Sequence, residues 1–262
     1  MIFYLGTHMV NHAKHFNTSF ISVNVLRKRV SNFVVNDWIL DSGAFSELSL
    51  YGHYRFPVSE YANQINRWKL CGNLITAVCQ DYMCEPFMLE KTGLTIKEHQ
   101  QLTIERYDEL VNLTDVTIMP VLQGYEPKDY INHLDMYGDR LTNGLRVGVG
   151  SVCKRNGNPN AIVAVLETIK KVRPDLRLHG FGLKTTALRN NYITSLLDSA
   201  DSMAWSYAAR KQGGNRNGLQ EALDFTEKIK SISGKREHQF SMGYILQRVA
   251  RSRRIEWKLR IQ

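Results

Sequence analysis

The first residue whose surroundings suit chemistry is Asp41. It follows the apolar run Trp38–Leu40 and precedes Ser42 and Gly43, which permit a tight turn with the backbone close to a ligand. In a functional site, Asp41 would act as general acid and base, and Phe45 would lie against a flat ring. In an ordinary turn, Asp41 would be only an N-cap or turn residue. The motif alone favours the functional role slightly.

A second aspartate, Asp201, stands in the apolar segment Ala200–Trp205. A carboxylate in such surroundings is a candidate nucleophile. The alternative is that Asp198 or Asp201 merely caps the preceding helix, and for Asp198 we favour the cap. Asp41 and Asp201 are therefore the two predicted catalytic carboxylates.

Two motifs that carry side-chain amides indicate recognition of a purine. Gln80 and Asp81 leave one apolar segment, and Gln123 and Gly124 end another. A carboxylate accepts hydrogen bonds from a ring N–H and an exocyclic amine, and an amide pairs with a carbonyl, which together match a purine edge. The alternatives are a solvated loop with a capping aspartate and an ordinary glutamine at the end of a strand.

Gly150 and Ser151 belong to the glycine-containing segment Val147–Val152. A lone Gly-x-Gly is weak support for dinucleotide binding, and the longer glycine pattern of such sites is not completed here. Backbone N–H groups that donate to a substrate carbonyl oxygen fit the segment better. We therefore expect Gly150 and Ser151 to contact substrate.

The cysteines and histidines do not predict a metal site. The cysteines form no C-x-x-C pair, and Cys79 and Cys84 lack a matching pair of ligands downstream. Reduced, mostly buried thiols of a cytosolic protein are expected instead. Three histidines cluster near the first apolar segment, where we interpret them as loop residues and candidate phosphate or sugar contacts: His8, His12 and His15.

The elements that must position these residues are eight short apolar segments separated by helical patterns. The segments are continuous and rich in β-branched or aromatic residues, as buried parallel strands are. The candidate strands are Ile2–Gly6, Phe20–Val25, Trp38–Ser42, Leu74–Asp81, Val116–Gly124, Leu145–Ser151, Leu178–Gly182 and Asp201–Ser206. Eight strands alternating with helices in 262 residues predict a single TIM (β/α)8 barrel domain, with its active site at the carboxyl ends of the strands.

Helical periodicity predicts the elements around the barrel. The predicted helices are Ser59–Leu70, Thr95–Val111 with a capping box, a helix starting at Pro127, Asn160–Val172 and Thr185–Leu197. The first two connections between strands are weak as helices, which predicts an irregular start of the barrel. Residues 217–262 are expected to form a basic extension with extra C-terminal helices outside the barrel.

The basic composition predicts a polyanionic partner. The net charge is +9, and lysine and arginine side chains that neutralise phosphates release counterions. Charge alone is equally consistent with a basic protein that has no such partner, and a solvated helix face is the alternative for the C-terminal tail. The tail interleaves basic residues with Trp257, which favours nucleic acid. The expected backbone contacts are Lys184, Arg210, Arg251 and Arg254. No apolar run approaches the roughly 20 residues that span a bilayer, so we expect a soluble protein without a membrane partner.

Together the motifs resemble the tRNA-guanine transglycosylase superfamily, and they are closest to its DNA-modifying DpdA family. Asp41–Phe45 is similar to the family's Asp-Ser-Gly-Gly-Phe/Tyr, and Gln80–Pro86 is similar to Gln-Asp-Trp-Met-Cys-Glu-Pro of the DNA branch. Gln123-Gly124 matches a Val-Gln-Gly step, and Asp201–Arg210 is similar to a segment of the archaeal enzymes. The pieces occur in family order and cover most of residues 1–210.

The resemblance implies a function and a role for each residue. The activity would be exchange of guanine in DNA for a 7-deazaguanine, 7-cyano-7-deazaguanine being the expected base. Asp201 would attack the sugar C1′ and form a covalent intermediate, while Asp41 would serve as acid and base. Asp81 and Gln123 would recognise the base, with Gly150 and Ser151 nearby and Phe45 stacked on it. No cofactor is required, and the partners would be DNA, the free base and either helper proteins or a second copy of the chain.

Two departures from the family pattern bear on the substrate. The tRNA enzymes carry a cysteine-rich zinc module near the C-terminus, whereas this chain has no cysteine after Cys153. The second glycine of the Asp-Ser-Gly-Gly motif is Ala44. The lost zinc module favours DNA over tRNA. The alternatives are a tRNA-acting transglycosylase, a non-catalytic nucleic-acid-binding subunit on the same fold, and an unrelated barrel hydrolase.

Overall fold

Nine parallel strands surrounded by helices form a nearly closed α/β barrel in the computed structural model, which describes residues 1–232. The strands are β1 (Ile2–Gly6), β2 (Thr18–Ser22), β3 (Asp37–Asp41), β4 (Asn73–Val78), β5 (Ile118–Met119), β6 (Val121–Leu122), β7 (Arg146–Val149), β8 (Arg177–Gly180) and β9 (Ser199–Ser202). Their order around the barrel is β5-β4-β3-β2-β1-β9-β8-β7-β6. The predicted TIM-like architecture is confirmed.

The difference between eight predicted strands and nine observed strands arises at Pro120. This residue separates β5 from β6, because proline has no N–H to donate to a strand ladder. The Met119 carbonyl accepts a hydrogen bond from Cys79 N at 3.0 Å, and the Pro120 carbonyl accepts one from Gly148 N at 2.8 Å. The split segment therefore pairs with neighbours on both sides and brings the two ends of the sheet together.

The five predicted helices are present with two differences, and four further helices within residues 1–232 were not predicted, one of which occupies part of the predicted strand Asp201–Ser206. The helices are α1 (Val23–Leu26), α2 (Ala44–Tyr51), α3 (Val58–Trp68), α4 (Pro86–Thr92), α5 (Ile96–Val111), α6 (Pro127–Tyr137), α7 (Pro159–Val172), α8 (Thr185–Leu188), α9 (Asn191–Leu196) and α10 (Ala204–Lys211). Leu70 was predicted to end the helix Ser59–Leu70, but it lies after the end of α3 and is exposed. The predicted helix Thr185–Leu197 is two helices, because the Asn190 side chain accepts hydrogen bonds from Tyr192 N and Ile193 N and starts α9.

The predicted irregular start is present. The connection after β1 contains a 3₁₀ turn over Val10–His15, and the one after β2 contains only the single-turn helix α1. At the other end, residues 219–232 are helical, and the remainder of the predicted C-terminal extension lies outside the described residues. Within residues 1–232, no helix is long and apolar enough to cross a membrane.

Asp198 does not cap a helix, contrary to the sequence-based interpretation. It lies immediately before β9, at the amino end of the barrel, where its carboxylate forms ion pairs with Arg146 at 3.0 Å and Arg177 at 3.1 Å. Burial alone would raise its pKa, but the two guanidinium groups more than offset this effect and lower the pKa. Asp198 therefore links three neighbouring strands rather than ending a helix.

Candidate active site

A cavity of about 180 Å³ opens at the carboxyl ends of the strands. It is smaller than the roughly 300–1,000 Å³ of pockets for drug-sized ligands, so its size suits a single planar base. Its apolar wall includes Phe20, Val78, Met83 and Phe181. Four carboxylates also line it: Asp41, Asp81, Glu85 and Asp201. Within the part of the chain that the structure describes, no lysine or arginine lines this cavity, which therefore suits N–H donors and developing positive charge.

Asp41 ends strand β3 and lines the cavity. Its Oδ2 accepts a hydrogen bond from Gly43 N at 3.2 Å, and the Ser22 side chain also hydrogen-bonds the carboxyl group. Burial is the main reason that the pKa of Asp41 rises to about 6, and the negative charge of Asp201 raises it further. An acid with this pKa exchanges a proton readily near neutral pH.

The turn after Asp41 depends on glycine. Gly43 has φ of 75° and lies at the N-cap of α2, a backbone conformation in which a residue with a Cβ is strained. A Cβ at this position would also lie 2.4 Å from the Asn24 side chain amide. Gly43 therefore holds the backbone that orients Asp41. Ser42 is buried beside it and does not line the cavity.

Asp201 is held by strand β9, by His179 on β8 and by Gly182 just after β8. Its Oδ1 accepts hydrogen bonds from Gly182 N at 3.0 Å and His179 Nε2 at 3.3 Å. Because His179 Nε2 donates to a carboxylate, its Nδ1 is assigned as the acceptor of a hydrogen bond from the Ser199 hydroxyl, at 2.9 Å. None of the hydrogen bonds within residues 1–232 is made to Asp201 Oδ2.

Asp81, Gln123 and Ser151 form a buried chain of hydrogen bonds on the cavity wall. Gln123 Nε2 donates to Asp81 Oδ2, and the Ser151 hydroxyl donates to Gln123 Oε1 at 3.2 Å. Burial is the main cause that raises the pKa of Asp81 to about 7, and the charge of Asp41 adds to it. The amide and the carboxyl group that the sequence predicted to recognise a base are therefore in direct contact.

Gly150 leaves room for the Gln123 side chain and does not donate a hydrogen bond to the cavity. The expectation that its N–H donates to a substrate carbonyl is wrong, because Gly150 N already donates to Leu122 O at 2.9 Å. A Cβ at this position would lie 2.2 Å from Gln123 Nε2. The next residue, Ser151, has φ of 62°, and a non-glycine residue in this conformation carries backbone strain that commonly marks functional sites.

Besides Ser42 and Gly43, two further residues predicted to bind substrate lie outside the cavity lining. Gln80 points away from the cavity, and its Oε1 accepts a hydrogen bond from Arg106 at 3.0 Å. Strand β4 ends at Val78, so Gln80 and Asp81 lie in the loop that follows it, where Asp81 lines the cavity and Gln80 does not. Gly124 faces helix α6, where a Cβ would lie 2.7 Å from the Asp129 Cβ. Both residues serve the packing behind the cavity.

Phe45 lies at the rim of the cavity and is half exposed. The Lys154 ammonium lies 4.8 Å from the centre of the Phe45 ring and 5.0 Å from that of Phe87. Sequence reasoning did not identify Lys154, His179, Phe181 or Glu85. His179 could have been noticed in the sequence, because it is a histidine inside an apolar predicted strand.

A basic and aromatic surface, which we call the Tyr207 surface, occupies the same side of the barrel. It comprises Tyr207, which is half exposed, with Lys184, Arg210 and Lys211 at 5.2–5.9 Å from its ring centre. Tyr207 and Arg210 also line a depression of about 400 Å³ together with His8. Lys184 and Arg210 therefore lie outside the cavity of the carboxylates. The predicted contacts Arg251 and Arg254 lie outside the described residues.

Among residues 1–232, no group of three or more histidine, cysteine, aspartate or glutamate side chains is arranged to hold a metal ion.

Comparison with family models gives a match over residues 1–229 to DpdA, described as DeoxyPurine in DNA protein A. The chain belongs to the DpdA family. This membership supports a transglycosylase-type enzyme that modifies DNA with a deazapurine, and it implies DNA as the substrate. Among curated proteins, none matches the chain.

Proposed function

We propose that this DpdA protein exchanges guanine in DNA for a 7-deazaguanine, with 7-cyano-7-deazaguanine as the incoming base, through a covalent intermediate on Asp201. The observation that carries the proposal is that Asp41 and Asp201, which are distant in the sequence, line one cavity with Asp81. A retaining exchange at a sugar carbon needs one carboxylate as nucleophile and one carboxyl group as acid and base.

In the first displacement, Asp201 attacks C1′ of the target deoxyribose while the bond from C1′ to guanine N9 breaks. Asp41 gives its proton to the departing guanine, which leaves as a neutral base. An ester between Asp201 and C1′ remains, and Asp41 is ionised. The raised pKa of Asp41 supports this role, because the residue is partly protonated near neutral pH.

In the second displacement, the incoming deazaguanine loses its N9 proton to Asp41, and N9 attacks C1′. The bond from C1′ to Asp201 breaks, which restores both carboxyl groups and retains the configuration of the sugar. The four carboxylates and the absence of a cation in the cavity lining of residues 1–232 favour the positive charge that develops on the sugar.

Base recognition is assigned to Asp81 and Gln123. Asp81 would accept hydrogen bonds from the N1–H and 2-amino groups, and Gln123 Nε2 would donate to O6. Gln123 Nε2 then exchanges its hydrogen bond to Asp81 for one to the ligand. Because two N–H donors stabilise the ionised carboxylate, the pKa of Asp81 should fall when the base binds.

The DNA strand is assigned to the Tyr207 surface. Phosphates do not suit a cavity lined by carboxylates, whereas Lys184, Arg210 and Lys211 surround an aromatic ring on the same side of the barrel. An aromatic side chain framed by cations can stack a base and neutralise its phosphates. The target nucleotide must leave the duplex stack, at a cost of a few kcal/mol unless the DNA is single-stranded.

The deciding experiment is nucleoside mass spectrometry of DNA after incubation with the protein and each candidate base. We expect 7-cyano-7-deazaguanine in the DNA and release of an equal amount of guanine. A parallel reaction with tRNA tests the tRNA-acting alternative. Absence of exchange in both nucleic acids, with DNA binding retained, would favour the non-catalytic subunit and contradict the proposal.

A further inference from the structure

Glu85 is a buried carboxyl group that the proposed exchange does not use. Its side chain lines the cavity, the residue is 2% exposed, and neither carboxylate oxygen has a partner of normal hydrogen-bond geometry within residues 1–232. Glu85 is the N-cap residue of α4 but makes no capping hydrogen bond with its side chain. Because buried polar groups are nearly always hydrogen-bonded, this arrangement indicates a missing partner inside the cavity.

The position of Glu85 follows from the chain of contacts along the cavity wall. Asp81 contacts Gln123, and Gln123 contacts Ser151. Ser151 and Glu85 line the same cavity, and the Ser151 hydroxyl lowers the pKa of Glu85. The wall therefore carries a carboxylate, then an amide and a hydroxyl, then a second carboxyl group.

The edge of a 7-substituted deazaguanine carries its groups in a matching order. The 2-amino and N1–H donors come first, the O6 acceptor next, and the substituent at position 7 follows on the same flank as O6. A base bound through Asp81 and Gln123 therefore directs its 7-substituent toward Ser151 and Glu85.

We propose that Glu85 recognises the 7-substituent of the incoming base, as a neutral carboxyl group that donates a hydrogen bond to an acceptor such as a nitrile nitrogen. This inference rests on the proposed function and extends it to the choice of base. Guanine has only the ring acceptor N7 at this position, whereas a nitrile nitrogen lies two bonds farther out, so a donor placed to reach the nitrile favours the incoming base over the departing one.

The electrostatic surroundings agree with a neutral carboxyl group. Burial is the main cause that raises the pKa of Glu85, and Lys154, Ser151 and Arg155 lower it again only in part. A carboxylic acid kept neutral by its surroundings can act as a hydrogen-bond donor at neutral pH.

The test compares two free bases that differ only at position 7, namely 7-cyano-7-deazaguanine and unsubstituted 7-deazaguanine. Calorimetry gives the Kd of each base for the wild type, Glu85→Leu and Glu85→Gln. Glu90→Leu is the matched control, because Glu90 lies on the same helix and is exposed. Thermal unfolding checks that each variant is folded.

We expect Glu85→Leu to weaken binding of the cyano base at least about 10-fold and to change binding of 7-deazaguanine less than about threefold, because only one base loses a hydrogen bond. Glu85→Gln retains an N–H donor and should keep both Kd values within about threefold of the wild type. In the wild type, the preference for the cyano base should decline as pH rises, because the Glu85 carboxyl group loses its donor proton. Glu85→Leu and Glu85→Gln lack this carboxyl group and should not show the decline.

Equal effects of Glu85→Leu on both bases, or no effect on either, would overturn the assignment of Glu85. The proposed function is read separately, from insertion of 7-deazaguanine into DNA by the wild type. If both bases bind but neither enters DNA, the proposed function fails and the ratio of Kd values still decides the role of Glu85. A wild type that binds neither base overturns both.

Discussion

Aspartate side chains at the two ends of strand β9 lie in opposite electrostatic surroundings. Asp198, at the amino end of the barrel, is ion-paired with Arg146 and Arg177, and its pKa is lowered. At the carboxyl end, Asp201 lines a cavity that has no lysine or arginine in its lining among residues 1–232, and the pKa values of Asp41 and Asp81 there are raised.

The contrast separates carboxylates that stabilise the barrel from carboxylates that are costly to ionise. An aspartate paired with arginine ties strands together, whereas buried carboxylates without cations lower stability at neutral pH. Clusters of the second kind are typical of functional sites. We therefore assign a stabilising role to the carboxylate at the amino end of the barrel and a catalytic role to those at the carboxyl end. The following measurements test that division.

The largest expected effect comes from Asp201→Asn, which removes the nucleophile and should lower base exchange at least about 1,000-fold. Asp41→Asn removes a proton donor and acceptor and should cost about 100- to 10,000-fold. Incorporation of labelled guanine into DNA measures both. Asp198→Asn is the matched control, three residues before Asp201 and just ahead of the same strand, and should remain within about threefold of the wild type at a temperature where it is folded. Equal activity losses for Asp198→Asn and Asp201→Asn would remove the distinction.

The next effect concerns Asp81. Asp81→Asn should lower kcat/KM for the free base by about 100-fold, because an amide cannot accept both N–H donors of the base as a carboxylate does. In the wild type, affinity for the base should rise with pH through about 7, since binding requires the ionised form of Asp81. The pH dependence of the Kd, measured by calorimetry, checks this, and it should be absent in Asp81→Asn. A pH-independent Kd in the wild type would contradict the assignment.

Stability should move in opposite directions at the two ends. Folded Asp81 has a pKa of about 7 against an ordinary value of 3.8, so the folded state binds more protons and loses stability as pH rises between these values. Asp81→Asn should therefore stabilise the protein by on the order of 2–4 kcal/mol at pH 8 and by little below pH 4. Asp198→Asn should destabilise it by about 1–2 kcal/mol at pH 8, an effect lost as pH falls through the lowered pKa of Asp198.

Urea denaturation at pH 8 measures both changes in the free energy of unfolding, and the same measurement at pH 4 checks that the Asp81 effect has been lost. The wild type at each pH is the reference. Destabilisation by Asp81→Asn at pH 8 would show that this carboxylate contributes to the fold as Asp198 does.

The smallest expected effect is at the Tyr207 surface. Arg210→Ala should raise KM for DNA by about 3- to 10-fold and reduce its salt dependence, because one phosphate contact is lost. The Kd of the free base should not change, since Arg210 lies outside the carboxylate-lined cavity. Exchange assays at several salt concentrations provide the measurement. A larger effect on the free base than on DNA would show that the two surfaces are one site.

The sequence predicted which strand ends carry polar residues but not which side chains face one another. Asp41, Asp81, Gln123, Gly150 and Ser151, which were placed at strand ends from the sequence, line the cavity, and so does Asp201, although its strand is Ser199–Ser202 rather than the predicted Asp201–Ser206. Gln80 was assigned to the ligand, but it lies in the loop after β4, and only the tertiary structure shows that its amide oxygen meets Arg106. Glu85 and His179 were missed because neither ends a predicted strand.

The amino-acid sequence by itself determined the order of strands and helices, the β-branched and apolar segments of the barrel and the aspartates that stand in apolar surroundings. These features depend on local periodicity and residue type. The tertiary structure alone decided that Asp198 meets two arginines while Asp41 and Asp81 meet other carboxyl groups. Whether a carboxylate has a cation or another carboxylate beside it depends on strand order and register, which bring together side chains far apart in the chain.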